Sequence, residues 1–154
     1  MTRPNLTLIA AAGSLALLMG AYAFQALGYA PCQLCLWQRW PHFAAVAIGL
    51  AIALGAPRAL AWAGALAALT TAGIGAFHVG VEQGWWEGLA ACTANALAGV
   101  SAQDLLSTDV TIGAPVRCDE VAWSLIGLSM AGWNTVFSLA LAGLWALGAR
   151  ASGD

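Results

Sequence analysis

The stretch Pro31-Cys32-Gln33-Leu34-Cys35-Leu36-Trp37-Gln38-Arg39 lies where one long uncharged run ends and a second begins. It contains two of the four cysteines of the chain and one of its five basic residues. If this segment is helical, Cys35 and Arg39 share one face, because side chains four residues apart are neighbours on a helix. The stretch therefore predicts a redox dithiol with a permanent cation one helical turn behind it.

The composition excludes an ordinary soluble domain. Of the 154 residues 61% are hydrophobic and only 8% are charged, and the mean hydropathy is +0.79. A soluble domain carries about 25% charged residues. The length indicates a single domain, residues 1–154. A net charge of −2 without any lysine argues against nucleic acid as a partner.

Four runs of 18 or more residues lack Asp, Glu, Lys and Arg. A helix needs about 20 apolar residues to cross the hydrocarbon core of a bilayer, so each run has room for one crossing. We expect an all-α polytopic membrane protein, a bundle of four transmembrane helices with two outer loops. The predicted spans are residues 6–27, 36–55, 60–79 and 122–147, and the predicted redox loop is residues 82–120.

A cleaved signal peptide is the alternative for the first run. Arg3 would form its charged end, residues 6–19 its apolar region, and Ala21-Tyr22-Ala23 resembles a cleavage site. Apolar residues continue through Leu27, which is long enough for a full span, and we therefore expect a membrane helix.

The basic residues predict the orientation, because cytoplasmic loops carry the excess of arginine and lysine. In a four-span protein Arg3, Arg58 and Arg150 lie on one side of the membrane. The loop at residues 82–120 lies on the other side and carries six acidic residues against Arg117 alone. We expect both termini to be cytoplasmic and all four cysteines to face outward.

Four cysteines permit three pairings, and the simplest is one disulfide per outer loop: Cys32 with Cys35, and Cys92 with Cys118. Purely structural disulfides are one alternative, but a bond between residues so close in sequence closes almost no loop. A C-x-x-C pair at a helix N-terminus instead favours a reactive thiolate. A four-cysteine zinc site is the other alternative. Because Cys92 and Cys118 do not form a second C-x-x-C, we expect no metal.

Three further side chains are candidates for the chemistry. Arg39 favours the Cys35 thiolate and leaves N–H donors for an acceptor oxygen of a ligand; an arginine that only reaches the lipid head groups is the alternative. His78 and His42 would hydrogen-bond to a bound redox ligand or exchange a proton with it. The alternative for both histidines is an interfacial side chain satisfied by water or lipid.

The arrangement resembles the DsbB family of inner-membrane, disulfide-forming quinone reductases. The resemblance rests on four spans, a C-x-x-C before the second, arginine four residues later, and two further cysteines between the last two spans. Residues 77–86, 118–123 and 127–134 look like the corresponding segments of alphaproteobacterial members. Vitamin K epoxide reductase-like proteins share the four-helix plan, but their C-x-x-C comes late in the chain, so they fit less well.

The resemblance implies a role for each cysteine. Cys92 would form the mixed disulfide with a reduced DsbA-like periplasmic thiol oxidase, and Cys118 would exchange with Cys32. Cys35 would pass two electrons to a membrane quinone, ubiquinone in preference to menaquinone. Arg39 would hold a quinone oxygen, and His78 would also belong to the quinone site.

The resemblance also implies a location and leaves two other functions to compare. The chain would lie in the bacterial inner membrane with its cysteine loops in the periplasm. The alternatives are a reductase that runs electrons in the opposite direction, like the vitamin K enzymes, and a non-catalytic scaffold braced by disulfides. The chain departs from the family at Gln38, where an acidic residue is frequent, so a carboxylate beside the quinone is not expected.

Overall fold

A computed structural model describes residues 4–89 and 116–150. Cys92 and most of the predicted redox loop lie outside these residues. Within them the chain is helical apart from one very short hairpin, which confirms the predicted fold class at the level of a helical membrane protein. The four α-helices are α1 (Pro4–Ala26), α2 (Gln33–Ala53), α3 (Ala61–Glu82) and α4 (Met130–Arg150).

Three segments of the described residues are long and apolar enough to cross a membrane, namely Leu6–Ala26, Arg58–Glu82 and Met130–Arg150. The helix α2 has a similar length, 21 residues. Its first half carries Gln38, Arg39 and His42, which lower its hydropathy. The four-span count therefore stays a prediction.

The helix α2 begins at Gln33, three residues before the predicted span, because Cys32 caps it. The backbone of Cys32 is extended, with φ −77° and ψ 174°, and its sulfur accepts a hydrogen bond from the Cys35 N–H at 3.3 Å. An extended residue whose side chain accepts from the first turn is the geometry of an N-cap. The cap places both cysteines of the C-x-x-C at the helix N-terminus.

The last helix begins later than the sequence suggests. The predicted span starts near residue 122, whereas α4 starts at Met130, after the antiparallel strands β1 (Ser124–Leu125) and β2 (Leu128–Ser129). Ile126 and Gly127 turn the hairpin with positive φ angles of 53° and 78°. Ser129 then caps α4, because its Oγ accepts a hydrogen bond from the Gly132 N–H at 3.1 Å.

The four helices pack in the cyclic order α1, α2, α3, α4, with α1 and α3 on a diagonal. Small residues form most of the core, mainly alanines, and let the helix backbones approach closely. The largest buried side chain is Trp145 of α4, which is fully buried. Its ring packs on Gly64 of α3, which has no side chain to obstruct it.

Candidate functional site

The Cys32–Cys35 pair forms a dithiol at the start of α2. Both cysteines are free thiols, and their sulfur atoms are 2.9 Å apart. Cys32 is 4% exposed and Cys35 is half-buried. The hydrogen bond with the Cys35 thiol lowers the pKa of Cys32 to about 4, and the neighbouring His78 acts in the same direction against the cost of burial. Cys32 is thus the cysteine of the pair that carries the thiolate in this reduced state.

Cys118 lies against this dithiol from the segment that precedes β1. It is fully buried and disulfide-bonded. It packs in one cluster with Cys32 and with Leu34 and Val81. Its sulfur, the sulfur of Cys32 and a ring nitrogen of His78 all lie within 4.8 Å of one another. The fold therefore brings a free thiol and a disulfide sulfur from different parts of the chain into one small buried space.

His78 of α3 completes this space. Its Nε2 lies 3.6 Å from the Cys32 sulfur and 3.2 Å from the backbone oxygen of Cys118. The same nitrogen is 3.9 Å from a carboxylate oxygen of Glu82, one turn further along α3. The other carboxylate oxygen of Glu82 accepts a hydrogen bond from the Ser129 hydroxyl. His78 is thus placed to act on the sulfur of Cys32.

A cavity of about 420 Å³ opens on the other side of the dithiol, between α1, α2 and α4. Its walls are mostly apolar and include the aromatic rings of Phe24, Trp123 and Phe137. The polar side chains in its lining include Cys35, Gln38, Arg39, His42 and Asn134. A cavity with apolar walls and a few convergent polar groups suits a flat apolar ligand that carries an acceptor oxygen.

Cys35 belongs to the walls of two cavities. A second space of about 360 Å³ is lined by Cys32, His78 and Glu82 together with Cys35. Neither Cys32 nor His78 is part of the lining of the larger, apolar cavity. Within the described residues, Cys35 is therefore the cysteine that faces the apolar cavity, while Cys32 faces Cys118.

Arg39 shares the apolar cavity with Cys35, and both side chains come from the first two turns of α2. Within the described residues its hydrogen bonds go to α1, with Nη1 2.7 Å from Gln25 Oε1 and Nη2 3.5 Å from the Ala21 oxygen. The guanidinium also lies 4.7 Å from the centre of the Tyr22 ring. These contacts hold the cation at the cavity wall and leave it other N–H donors, since a guanidinium has five.

A chain of buried hydrogen bonds links the two cavities. Asn134 of α4 donates to Gln38 Oε1 at 2.7 Å, and its own oxygen is 2.9 Å from His42 Nε2. Gln38 Nε2 lies 3.1 Å from His78 Nδ1. Thr71 of α3 donates to the backbone oxygen of Gln38 at 3.0 Å. Asn134 and Thr71 therefore act between helices, as polar residues in a bundle are expected to do.

The structure brings together most of the residues that the sequence singles out. Cys32, Cys35, His78 and Cys118 meet at one end of the bundle, and Arg39 lies one turn below. Cys92 lies outside the described residues.

Sequence reasoning missed two contributors to the site. The predicted loop begins at Glu82, although its position four residues after His78 is a helical signal. The sequence indicates for Gln38 only a missing carboxylate, whereas its four hydrogen-bond partners belong to α2, α3 and α4. No local sequence pattern reveals such a set.

Comparison with protein families gives one match. The model of the family described as disulfide bond formation protein DsbB matches residues 3–148. Searches of curated proteins and of solved structures found no match. The family match covers nearly the whole chain and agrees with the resemblance drawn from the cysteine and arginine pattern. The chain therefore belongs to the DsbB family, whose members are membrane oxidoreductases of disulfide-bond formation.

Proposed function

We propose that this protein reoxidises a periplasmic DsbA-like dithiol oxidase and passes the electrons to a membrane quinone. Electrons would enter at Cys92, move through Cys118 to Cys32, and leave through Cys35. Membership of the DsbB family supports the reaction class. The observation that carries the proposal is the position of the dithiol, with Cys32 beside the Cys118 disulfide and Cys35 in the wall of the apolar cavity.

The proposed topology has four spans with both termini in the cytoplasm of a bacterium and the cysteines in the periplasm. Three segments with the length and hydropathy of spans support it. The helix α2 would be the fourth, since it packs between α1 and α3 in the bundle. This orientation puts the N-terminal end of α2, with Cys32 before it, at the periplasmic surface.

The apolar cavity fits a quinone ring. Its volume is about 420 Å³ and aromatic and aliphatic side chains form most of its wall. Arg39 would hold one quinone oxygen, and Gln38, His42 and Asn134 supply the other polar groups of the lining. A bound quinone would supply an acceptor for two electrons and two protons. Ubiquinone is proposed over menaquinone on the family resemblance alone.

The residues of the protein supply the thiol chemistry. Thiol–disulfide exchange proceeds by attack of a thiolate on a disulfide sulfur. In the proposed direction the Cys118 thiolate would attack Cys32 of an oxidised Cys32–Cys35 pair, and Cys35 would leave as a thiolate. Attack on Cys118 of the resulting Cys32–Cys118 bond would then release Cys32. A free Cys32 sulfur within 4.8 Å of a disulfide-bonded Cys118 sulfur is the arrangement that follows these two steps. We propose Cys92 as the partner of Cys118 in this disulfide, the pairing of one disulfide per outer loop that the sequence predicts. Oxidation of Cys32 and Cys35 to a disulfide releases two electrons and two protons.

The geometry weakens the scaffold alternative, because a pair of free thiols braces nothing. The role of His78 at the quinone stays a prediction. Its contacts with Cys32 and Cys118 support a role in exchange between the two cysteine pairs.

The test is anaerobic quinone reduction by the purified full-length protein in lipid nanodiscs, with a reduced thioredoxin-fold dithiol oxidase as electron donor. We expect quinol to accumulate with the unaltered protein and to fall to background with Cys35→Ser. Ser124→Ala, an exposed position in β1, is the matched control. Absence of quinone reduction with any dithiol donor would reject the function, and faster reaction in reverse would favour the reductase alternative.

A further inference from the structure

The amide of Gln38 has only one orientation that its neighbours accept. Its Nε2 lies 3.2 Å from the backbone oxygen of Leu34, and a carbonyl oxygen can only accept a hydrogen bond. The atom facing Leu34 is therefore the nitrogen of the amide. The second hydrogen on this nitrogen points to His78 Nδ1 at 3.1 Å.

Asn134 and Thr71 lock the Gln38 amide from the other side. Thr71 donates its hydroxyl hydrogen to the Gln38 backbone oxygen, so its Oγ can only accept from Asn134, 3.2 Å away. Asn134 therefore presents its nitrogen both to Thr71 and to Gln38 Oε1, which is 2.7 Å distant. If the Gln38 amide were flipped, its nitrogen would face the Asn134 nitrogen, and both are donors. Its oxygen would face the Leu34 backbone oxygen, and both are acceptors.

The far side of the His78 ring requires the same arrangement. Its Nε2 faces three acceptors: the Cys118 oxygen at 3.2 Å, the Cys32 sulfur at 3.6 Å and a Glu82 oxygen at 3.9 Å. A hydrogen on Nε2 can be donated to these acceptors, and a lone pair on Nδ1 can accept the hydrogen bond from the Gln38 amide. A second proton on Nδ1 would instead meet the N–H of Gln38.

We propose that Gln38 is a positioning residue that holds His78 as a neutral imidazole with its hydrogen on Nε2, so that His78 donates to the sulfur of Cys32. The tautomer of His78 does not depend on the proposed function, whereas its role in thiol exchange rests on that function. The negative charges of Glu82 and of a Cys32 thiolate favour a second proton on His78, and the donor at Nδ1 opposes it. An acidic residue at position 38 would reverse that preference, because a carboxylate accepts from Nδ1–H.

The donated hydrogen bond has a use in exchange. When a thiolate attacks the Cys118 sulfur of a Cys32–Cys118 disulfide, a new bond to Cys118 forms and the bond to Cys32 breaks. The electron pair leaves on Cys32 as a thiolate, and no proton is transferred. A fixed N–H aimed at this sulfur stabilises the leaving thiolate. The ionisable groups around Cys32 are Cys35 on α2, His78 and Glu82 on α3, and Arg117 and Glu120 in the segment before β1.

Nitrogen NMR of histidine-labelled, full-length protein tests the proposal, since the spectrum distinguishes the two neutral tautomers from the imidazolium. The chain has only two histidines, so a His42→Asn protein assigns the signals. We expect neutral His78 with its hydrogen on Nε2 at neutral pH. Gln38→Met should raise the imidazolium fraction about tenfold, since a hydrogen bond of this kind is worth roughly 1.4 kcal/mol. Gln38→Glu should make His78 predominantly imidazolium while keeping the N–H toward Cys32.

Thr70→Ala is the matched control, because Thr70 neighbours Thr71 on α3 and, among the described residues, hydrogen-bonds only to its own helix, at the Leu66 oxygen. It should leave the His78 spectrum unchanged. Glutamate has the shape of glutamine, so Gln38→Glu keeps the test decisive if the methionine variant does not fold. An imidazolium in the unaltered protein, or the same spectrum in the Gln38→Glu protein, would overturn the proposal. Neither measurement needs quinone or partner, so its failure is distinct from failure of the proposed function.

Discussion

The sulfur of Cys32 lies within 4.8 Å of the sulfur of Cys118, although Cys32 precedes α2 and Cys118 follows α3. One sulfur belongs to a free thiol and the other to a disulfide. Both cysteines are buried in one cluster, so water has little access to the space between them. Cys32 and Cys118 are therefore the two residues through which the Cys32–Cys35 pair can exchange with the Cys118 disulfide. They lie on the thiol side of the site, with His78, whereas Cys35 and Arg39 line the apolar cavity on the other side.

Replacement of Arg39 should affect quinone binding on the apolar side. Arg39→Met removes a charge-assisted donor from the cavity wall, and such bonds contribute roughly 1.5–3 kcal/mol. We expect the KM for quinone to rise by about tenfold or more, with a smaller effect on the KM for the dithiol donor. Steady-state kinetics with each substrate varied in turn measure both constants. Arg58→Met, at the opposite end of the bundle, is the control, and equal effects of the two substitutions would contradict the role of Arg39.

The alkylation rate of Cys32 should depend weakly on pH in the reduced inner pair. The hydrogen bond with Cys35 lowers the pKa of Cys32 from its ordinary 9.0 to about 4. The thiolate therefore persists as the pH falls below neutrality and is lost only as the pH approaches about 4. The stability that the thiolate adds to the folded protein is complete above the ordinary pKa of 9.0. It is lost progressively as the pH falls from there to the lowered pKa of about 4.

Iodoacetamide labelling followed by peptide mass spectrometry measures this profile. The Cys35→Ala protein lacks the hydrogen bond that is the largest cause of the shift, and its profile should move to higher pH. If the alkylation rate of the unaltered protein already falls steeply between about pH 9 and pH 7, Cys32 has the pKa of an ordinary thiol and the prediction is wrong.

Ser129 should stabilise the start of α4. Its hydroxyl oxygen accepts from the Gly132 N–H, and its hydroxyl hydrogen is donated to Glu82. Ser129→Ala should lower the free energy of unfolding by about 1 kcal/mol, as the loss of an N-cap does, whereas Ser129→Thr retains both bonds. Unfolding in detergent compares these proteins with Ser124→Ala. If Ser129→Ala is as stable as this control, the cap contributes nothing.

Two glycines of α3 should respond oppositely to alanine. A Cβ at Gly64 would lie 2.6 Å from the Trp145 ring, whereas a Cβ at Gly73 would meet no atom of another described helix within 4 Å. Gly64→Ala should destabilise the bundle by roughly 1–3 kcal/mol through overpacking. Gly73→Ala should be neutral or stabilise it by up to about 1 kcal/mol, because alanine favours a helix. Equal stability of the two variants would mean that the Trp145 packing does not constrain the bundle.

The sequence predicts the helices well and their ends less well. Runs without charges locate all four, because charge is costly in a membrane. The predicted fourth span starts too early, because Val121 and Leu125 are as apolar as a span, whereas hydrogen bonding makes part of this segment a hairpin. The predicted third span ends at residue 79, whereas α3 continues to Glu82, whose carboxylate is hydrogen-bonded to Ser129.

Some features of the site are predictable from the sequence and others are not. The helical register of Cys35 and Arg39 was predictable from their spacing, and both line the apolar cavity. The side that His78 faces depends on the rotation of α3 against α2, which residue types alone do not determine. The partners of Gln38 come from three helices, so its role emerges only from their packing.

The most direct test of the relay is disulfide formation in proteins that keep only two cysteines. The protein with Cys35→Ser and Cys92→Ser retains Cys32 and Cys118, and the protein with Cys32→Ser and Cys92→Ser retains Cys35 and Cys118. After mild oxidation, peptide mapping should find an intramolecular Cys32–Cys118 bond in the first protein and little bond in the second. Equal formation of both bonds, or a bond in the second protein alone, would contradict the division of roles between Cys32 and Cys35.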